Sequence, residues 1–285
     1  MTSPFSSVRI DGVELDPATA SIPVHDIAFI RGYGVFEVVR GIDGGCVRLK
    51  EHIERLGRSA DMLGIELPAG DEIEQWCFAA AAKHPDTLIR VLVSSGDDPF
   101  EGPPRIVVTS EPSSTQATST TLHPLVAPWH GEGEVWELKN AKTMSYANNF
   151  GATRAARVAG FGEALLIGRS GKVLEGPTFS VGWVVEEQGE LVYETAALSL
   201  GILDSITRQL AMDAGERSGL RIREVEVPLD HLDNAKEVFV LSTTRDVVPV
   251  TAVGERRFEP GPATSALRDA MRELTRAELA GQHAG

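Results

Sequence analysis

Apolar and polar positions alternate along Val8-Arg-Ile-Asp-Gly-Val13, with Asp11-Gly12 at the middle. That dipeptide accepts positive φ at both central positions of a two-residue turn, so the chain should open with a β-hairpin. Residues 35–40 read as a strand, and Gly32 and Gly34 ahead of it point to a bulge or a close backbone approach. Asp43-Gly44-Gly45 then turns the chain back into Cys46-Val47-Arg48. Over residues 51–63 the period changes, and Ile53, Leu56, Ala60 and Leu63 fall on one stripe of an amphipathic helix. A second helix is expected over residues 72–83, ending before Pro85. Residues 87–93 and 105–109 read as strands of the same sheet, which makes the first domain α+β with a mainly antiparallel sheet.

Residues 111–121 have almost no apolar content and read as a linker between domains. The expected organisation is a first domain over residues 1–113, a linker over 114–121 and a second domain over 122–285. The second domain starts with a strand at 122–126 and a helix at 147–158, with Ser145 placed to cap it and Gly160 to stop it. A strand at 163–167 follows, then a hairpin of 181–185 and 191–193 around Gln188-Gly189. Ser205 caps a helix running to about 218, with Gly219 as its stop. Segments at 225–228, 237–241 and 247–250 supply further strands, and 263–279 is a terminal amphipathic helix. No internal repeat is visible.

Composition changes this picture only by exclusion. With 27 Lys and Arg against 41 Asp and Glu, the net charge is −14. Such a chain repels phosphate backbones and anionic membrane surfaces, so neither nucleic acid nor a membrane is an expected partner. A small anionic substrate is still compatible, provided arginines converge locally. The 2 cysteines, Cys46 and Cys77, form no CxxC pair and read as reduced thiols of a cytoplasmic protein. The N-terminal Met-Thr-Ser-Pro-Phe lacks a basic and then apolar signal pattern, and no apolar run approaches the ~18 residues of a span. The 7 histidines show no metal-ligand spacing, so no metal site is expected.

Candidate chemistry centres on Leu138-Lys-Asn-Ala-Lys-Thr-Met-Ser-Tyr146. A lysine just ahead of a helix start meets the positive end of the helix dipole, which favours the neutral, nucleophilic amine. Lys142 therefore suits a Schiff base with an aldehyde cofactor, against the simpler alternative of a surface lysine. Such a cofactor also needs an acid for its ring nitrogen and an anion site for its phosphate. Glu175 ends a strand where the chain turns at Gly176-Pro177 and could be that acid, or an exposed turn glutamate. Ser205-Ile-Thr-Arg208 opens a helix whose first amides, Ile206 and Thr207, suit a phosphate, or are simply capped by Ser205. Ser242-Thr-Thr244 adds hydroxyls after a strand. Arg55 lies off the apolar stripe of its helix and could face an anion or pair with Glu51 at i−4.

Taken in order, these segments resemble the class IV aminotransferase family of branched-chain and D-amino acid transaminases and aminodeoxychorismate lyases. The matching stretches are Arg31-Gly-Tyr-Gly-Val-Phe-Glu37, His52-Ile-Glu-Arg-Leu56, Lys142 with Tyr146, Val173-Leu-Glu-Gly176, Ser205-Ile-Thr-Arg208, and Glu237-Val-Phe239 through Thr243 to Pro249-Val250. The resemblance implies a two-domain fold type IV enzyme that is α+β, with a small α/β N-terminal domain. Its larger C-terminal domain would have a β-barrel-like sheet, with pyridoxal 5'-phosphate at the domain interface. It implies that Lys142 binds the cofactor covalently and moves the substrate proton, that Glu175 faces the ring nitrogen, and that Tyr146 bonds the phenolic oxygen. Arg55, Ile206, Thr207 and Thr243, with help from Ser242, would hold the phosphate, and the enzyme would be a homodimer. Lys139 falls out of register with the family lysine. The chain departs from the family at Ser180, where Asn is usual, and at Ser205, where Gly is usual.

Substrate choice is read from cations. The tyrosine that many D-amino acid transaminases carry at the position of Arg31 is replaced, and no Arg-x-His follows Gly96. Arg31 and Arg90 could instead clamp an α-carboxylate, with Arg40 a third candidate. The resemblance thus implies a transaminase moving an amino group from D-amino acids, and from (R)-primary amines if the arginines swing aside. The acceptor would be a 2-oxo acid such as 2-oxoglutarate or pyruvate, in ping-pong half-reactions. The alternative is an aminodeoxychorismate lyase making 4-aminobenzoate and pyruvate; a branched-chain L-amino acid transaminase ranks third. A cofactor carrier without turnover would not need both Lys142 and Glu175.

Overall fold

The computed structural model describes residues 3–114, 117–132, 138 and 140–284. The chain forms two compact units, Met1–Thr115 with Ala141–Tyr146 and Thr275–Gly285, and Gln116–Asn140 with Ala147–Leu274. The units interleave along the chain, whereas the sequence pattern orders them as two successive blocks.

The first unit contains β1 (Ser7–Ile10), β2 (Val13–Leu15), α1 (Ile27–Arg31), β3 (Gly34–Ile42), β4 (Gly45–Cys46), α2 (Leu49–Met62), α3 (Gly70–Ala81), β5 (Asp86–Ser94) and β6 (Arg105–Pro112). The strands form one sheet in the order β2-β1-β6-β5-β3-β4, antiparallel throughout. The opening hairpin turns at Asp11 (φ 47°) and Gly12 (φ 81°), the positive pair that the dipeptide favours. Along β3, Val35, Glu37, Val39 and Gly41 are buried while Phe36, Val38 and Arg40 are partly exposed. The two-residue period gives the strand a core face and an open face. Helix α2 buries Ile53, Leu56 and Ala60 of its expected stripe, together with Leu49, His52, Arg55 and Ser59.

Helix α1 is absent from the sequence reading. Residues 27–31 form helix α1, capped by the Asp26 carboxylate at the Ala28 amide (2.9 Å) and closed by Gly32 in the left-handed region. Gly32 is therefore a helix stop. Gly34 is the close approach, since a Cβ there would lie 2.5 Å from the Val93 carbonyl oxygen. The short α1 was hidden because five residues, none of them buried, carry no helical period.

The second unit contains β7 (Thr120–Val126), α4 (Ala147–Val158), β8 (Glu163–Ile167), β9 (Ser180–Glu187), β10 (Glu190–Ala196), α5 (Ile206–Arg217), β11 (Arg221–Val225), β12 (Glu237–Ser242), β13 (Asp246–Val253), β14 (Arg256–Arg257) and α6 (Pro262–Ala284), the last ten or so residues of α6 belonging to the first unit. Its 8-stranded sheet runs β11-β10-β9-β12-β13-β7-β8, with β14 on β13. Pairs β10·β11, β13·β7 and β7·β8 are parallel and the others antiparallel. Val173 bridges Ile167 beyond β8, and Lys172 bridges Pro228 beyond β11, which joins the two ends of the sheet. The sheet is thus barrel-like, and its inward residues pack as one core around Val181, Trp183, Val185, Val238, Val240, Val248 and Val250. The alternate residues Val184, Phe239, Leu241 and Val247 face outward against Leu210, Ala211 and Ala214 of α5 and Leu267 and Met271 of α6. Such Val-rich strands buried on both faces read as continuous apolar runs. No described helix is long and apolar enough to cross a membrane.

Candidate active site

The lysine segment runs extended beside β3 before α4 begins at Ala147. Thr143 bridges Val35, the Phe36 amide donates to the Lys142 carbonyl (3.0 Å), and the Met144 amide donates to the Gly34 carbonyl (2.8 Å). The Lys142 amide donates to the Ser59 hydroxyl on α2 (3.1 Å), so backbone bonds from two elements fix the residue. Its ammonium lies 4.4 Å from the centre of the Phe36 ring and 5.9 Å from that of Tyr146. The two rings meet edge to face at 5.1 Å. Aromatic faces accept a cation and also keep bulk water from an amine. Ser145 does not act as the expected helix cap, because its hydroxyl donates to the Gly32 carbonyl (2.9 Å). The position of Lys139 lies outside the described residues.

Beneath Phe36 runs a buried ionic cluster that the sequence pattern did not single out. Glu37, with 0% of its surface exposed, accepts from His52 Nδ1 (2.7 Å) and from Arg55 Nε and Nη2 (2.7 Å each). Arg55 thus pairs with Glu37 on β3 instead of Glu51, which pairs with Arg48 (3.0 Å). Burial alone would raise the Glu37 carboxyl, but Arg55 and His52 outweigh it and hold the group at about 2. Burial pushes the His52 imidazole below its ordinary range against the opposing pull of Glu37. The signal available in the sequence was an acid inside the apolar run of residues 35–39; a charge on the core face of a strand needs a partner.

In the second unit Glu175 sits between β8 and α5. Its backbone carbonyl accepts from the Leu166 amide (2.8 Å), and its Oε1 accepts from the Leu203 amide (3.1 Å). The second bond places the carboxylate beside the loop that leads into α5. That helix begins with the expected cap, Ser205 Oγ accepting from the Arg208 amide (3.3 Å). The amides of Ile206 and Thr207 fall in the first turn, where a helix offers them no acceptor of its own. The Thr207 and Thr243 hydroxyls lie 3.4 Å apart, and Ser242 Oγ lies 3.2 Å from Thr244 Oγ1. The Arg245 amide donates to the Ser242 carbonyl (3.0 Å), closing a turn over Thr243 and Thr244.

The structure thus brings Lys142, Tyr146 and the Arg55 helix together in one unit, and Glu175, Ile206, Thr207, Ser242 and Thr243 together in the other. Each set supplies groups that pyridoxal phosphate needs. A lysine amine is anchored by its backbone, a carboxylate is oriented by an amide, and hydroxyls and unpaired amides are the groups that hold a phosphate.

The three candidate substrate arginines lie on three different elements, α1, β3 and β5. Arg31 ends α1, is exposed, and donates to the Ile30 carbonyl (3.2 Å); its apolar neighbours Phe29 and Ile30 are themselves 69% and 42% exposed. They do not bury it. Arg40 and Arg90 share the open face of the sheet with Phe36, because β3 pairs Val38 with Arg90. Each already has a carboxylate partner: Arg40 binds Asp86 through Nε (3.1 Å) and Nη2 (2.9 Å), and Arg90 binds Glu111 (2.5 Å). Among the described residues no cluster of His, Cys, Asp and Glu has the grouping of a metal site.

Residues 34–253 match the family model described as amino-transferase class IV. The chain is 28% identical to a D-alanine aminotransferase of Bacillus licheniformis, over 96% of this chain and 98% of that protein. It is 26% identical to an aminodeoxychorismate lyase of Bacillus subtilis, covering 92% of both. Its fold matches the PLP-bound form of a hypothetical aminotransferase from Mycobacterium tuberculosis, with a TM-score of 0.88, 21% identity, and coverage of 95% of this chain and 99% of that one.

Proposed function

The chain belongs to the class IV aminotransferases and its cofactor is pyridoxal phosphate, and from that premise we propose that it moves amino groups from D-amino acids to 2-oxo acids such as 2-oxoglutarate or pyruvate. The observation that carries this reading is Lys142 held between Phe36 and Tyr146, with Arg40 and Arg90 on the same sheet face as Phe36. The bound cofactor supplies an electron sink for the substrate's α-carbon. Lys142 binds it covalently and carries the proton from the α-carbon. Tyr146 bonds the phenolic oxygen, and Glu175 keeps the ring nitrogen protonated. Arg55, Ile206, Thr207 and Thr243, with Ser242 in support, hold the phosphate. The two arginines receive substrate carboxylates, and the similarity to D-alanine aminotransferase over nearly the whole chain favours a D-amino acid donor.

Half-reactions test this directly. D-alanine or D-glutamate should convert the visible absorption of the lysine-bound cofactor, while L-leucine should not. Release of 4-aminobenzoate from aminodeoxychorismate would assign the lyase activity instead.

Because Arg90 must leave Glu111 to receive a substrate, the two residues should have opposite effects. Arg90→Ala should raise KM for 2-oxoglutarate by about 10- to 100-fold, the worth of one charge-assisted contact, with cofactor binding unchanged. Glu111→Gln should lower that KM. An unchanged KM in both variants would remove Arg90 from the site.

The active unit is proposed to be a cytoplasmic homodimer. Its support is the apolar surface of the first unit, where Val24, Phe29 and Phe100 are 74%, 69% and 86% exposed. Their segments are tied together by the Ile27 amide donating to the Gly96 carbonyl (2.8 Å) and by His25 contacting Asp97 (3.1 Å). Light scattering should give twice the chain mass, and Phe29→Asp should shift it toward the monomer. A fully active monomer would contradict this.

A further inference from the structure

We infer that Glu37 is a positioning residue for the cofactor phosphate, acting only through Arg55; this rests on the reading of Arg55 as a phosphate ligand. The guanidinium has five N–H donors in one plane, and Glu37 takes Nε and one side of Nη2. That side-on grip fixes the plane of the guanidinium and its heading from α2. A free arginine side chain samples many rotamers, and ordering it costs entropy that a ligand would otherwise supply on binding. Here the ordering is done beforehand by a carboxylate with 0% exposure.

The rest of the cluster fits this purpose better than it fits stability. His52 Nδ1 occupies the Glu37 oxygen that also accepts from Arg55 Nη2, so the carboxylate is held on both sides. A buried ion pair of this kind is a weak stabiliser compared with an apolar core of equal volume. Its location is specific. Glu37 directly follows Phe36, whose amide bonds the Lys142 carbonyl, and Arg55 precedes Ser59, whose hydroxyl bonds the Lys142 amide, by one helical turn. One strand residue and one helix turn therefore set the reactive amine and the phosphate arginine in a common frame, with Glu37 as the link.

The test compares two forms of the cofactor. Pyridoxal 5'-phosphate and pyridoxal differ only in the phosphate, so the ratio of their dissociation constants for the apo protein isolates the phosphate contact. Glu37→Gln keeps the side-chain shape and removes the charge. It should weaken pyridoxal phosphate by about 10- to 100-fold while changing pyridoxal by less than about twofold, which is the range of one charge-assisted contact. Equal loss for both ligands, or no loss for either, would overturn the inference. Should the single variant fail to fold, Glu37→Met with Arg55→Met leaves no unpaired buried charge. That double variant should bind pyridoxal phosphate as Arg55→Met alone does, whereas a further loss would show that Glu37 acts by some other route. Failure of the functional reading is separate, since the unaltered protein would then bind pyridoxal phosphate no better than pyridoxal, or form no visible lysine adduct.

Discussion

Lys142→Ala is expected to abolish transamination, with kcat lower by about four orders of magnitude or more. The ε-amine is assigned both the covalent bond to the cofactor and the proton transfer at the α-carbon, and the second role alone is worth about 10²- to 10⁴-fold. The loss can be read as chemistry because backbone bonds keep the residue in place. The residue is held through its own backbone, by the Phe36 amide and the Ser59 hydroxyl, and both bonds survive truncation. The substitution also removes the stacking of an ammonium on Phe36 and Tyr146, about 0.5–2 kcal/mol. Lys139→Ala, three positions earlier, should keep activity near that of the parent. Steady-state rates with D-alanine and 2-oxoglutarate decide between them, and comparable losses in both variants would place the reactive amine elsewhere.

Much of this arrangement was legible in the chain. Hairpins at Asp11-Gly12 and Gln188-Gly189 form where two positive-φ residues were available, and Gly160 and Gly219 stop their helices in the left-handed region. The Ser205 cap and the helix it starts appear as expected, because a cap is a local device. The readings that failed depended on neighbours distant in sequence. Ser145 is attractive as a cap until Gly32 offers its carbonyl, 113 positions away. Arg55 looks like half of a surface pair with Glu51 until β3 brings Glu37 against it. Arg40 and Arg90 could be marked as cations, but only strand register shows that they share a face and that Asp86 and Glu111 hold them. The interleaving of the two units was out of reach for the same reason, since short segments join a unit by packing and not by composition.

The Glu37 cluster also fixes how the protein responds to acid. Glu37 titrates at about 2 in the folded state against 4.5 ordinarily. Its stabilising contribution is therefore complete above pH 4.5 and is lost as pH falls toward 2. His52 acts with the same sign, because its folded value lies below 6.5 and the unfolded chain takes up a proton first as the solution is acidified. Both groups thus weaken the first unit from the acid side, His52 beginning below pH 6.5 and Glu37 below 4.5. Glu37→Ala should cost about 3–5 kcal/mol at pH 7, the penalty for leaving the Arg55 charge buried without its partner. Below pH 4.5 the unfolded parent takes up a proton at this carboxylate while the folded parent keeps it ionised down to about 2, so the difference between parent and variant should narrow. Urea titrations at pH 7 and pH 4, with hydrogen exchange of the β3 and α2 amides, measure both parts. A stability gap that is the same at both pH values would mean that the buried carboxylate is not the group responsible, and the loss in the variant would then have to come from the cavity left behind.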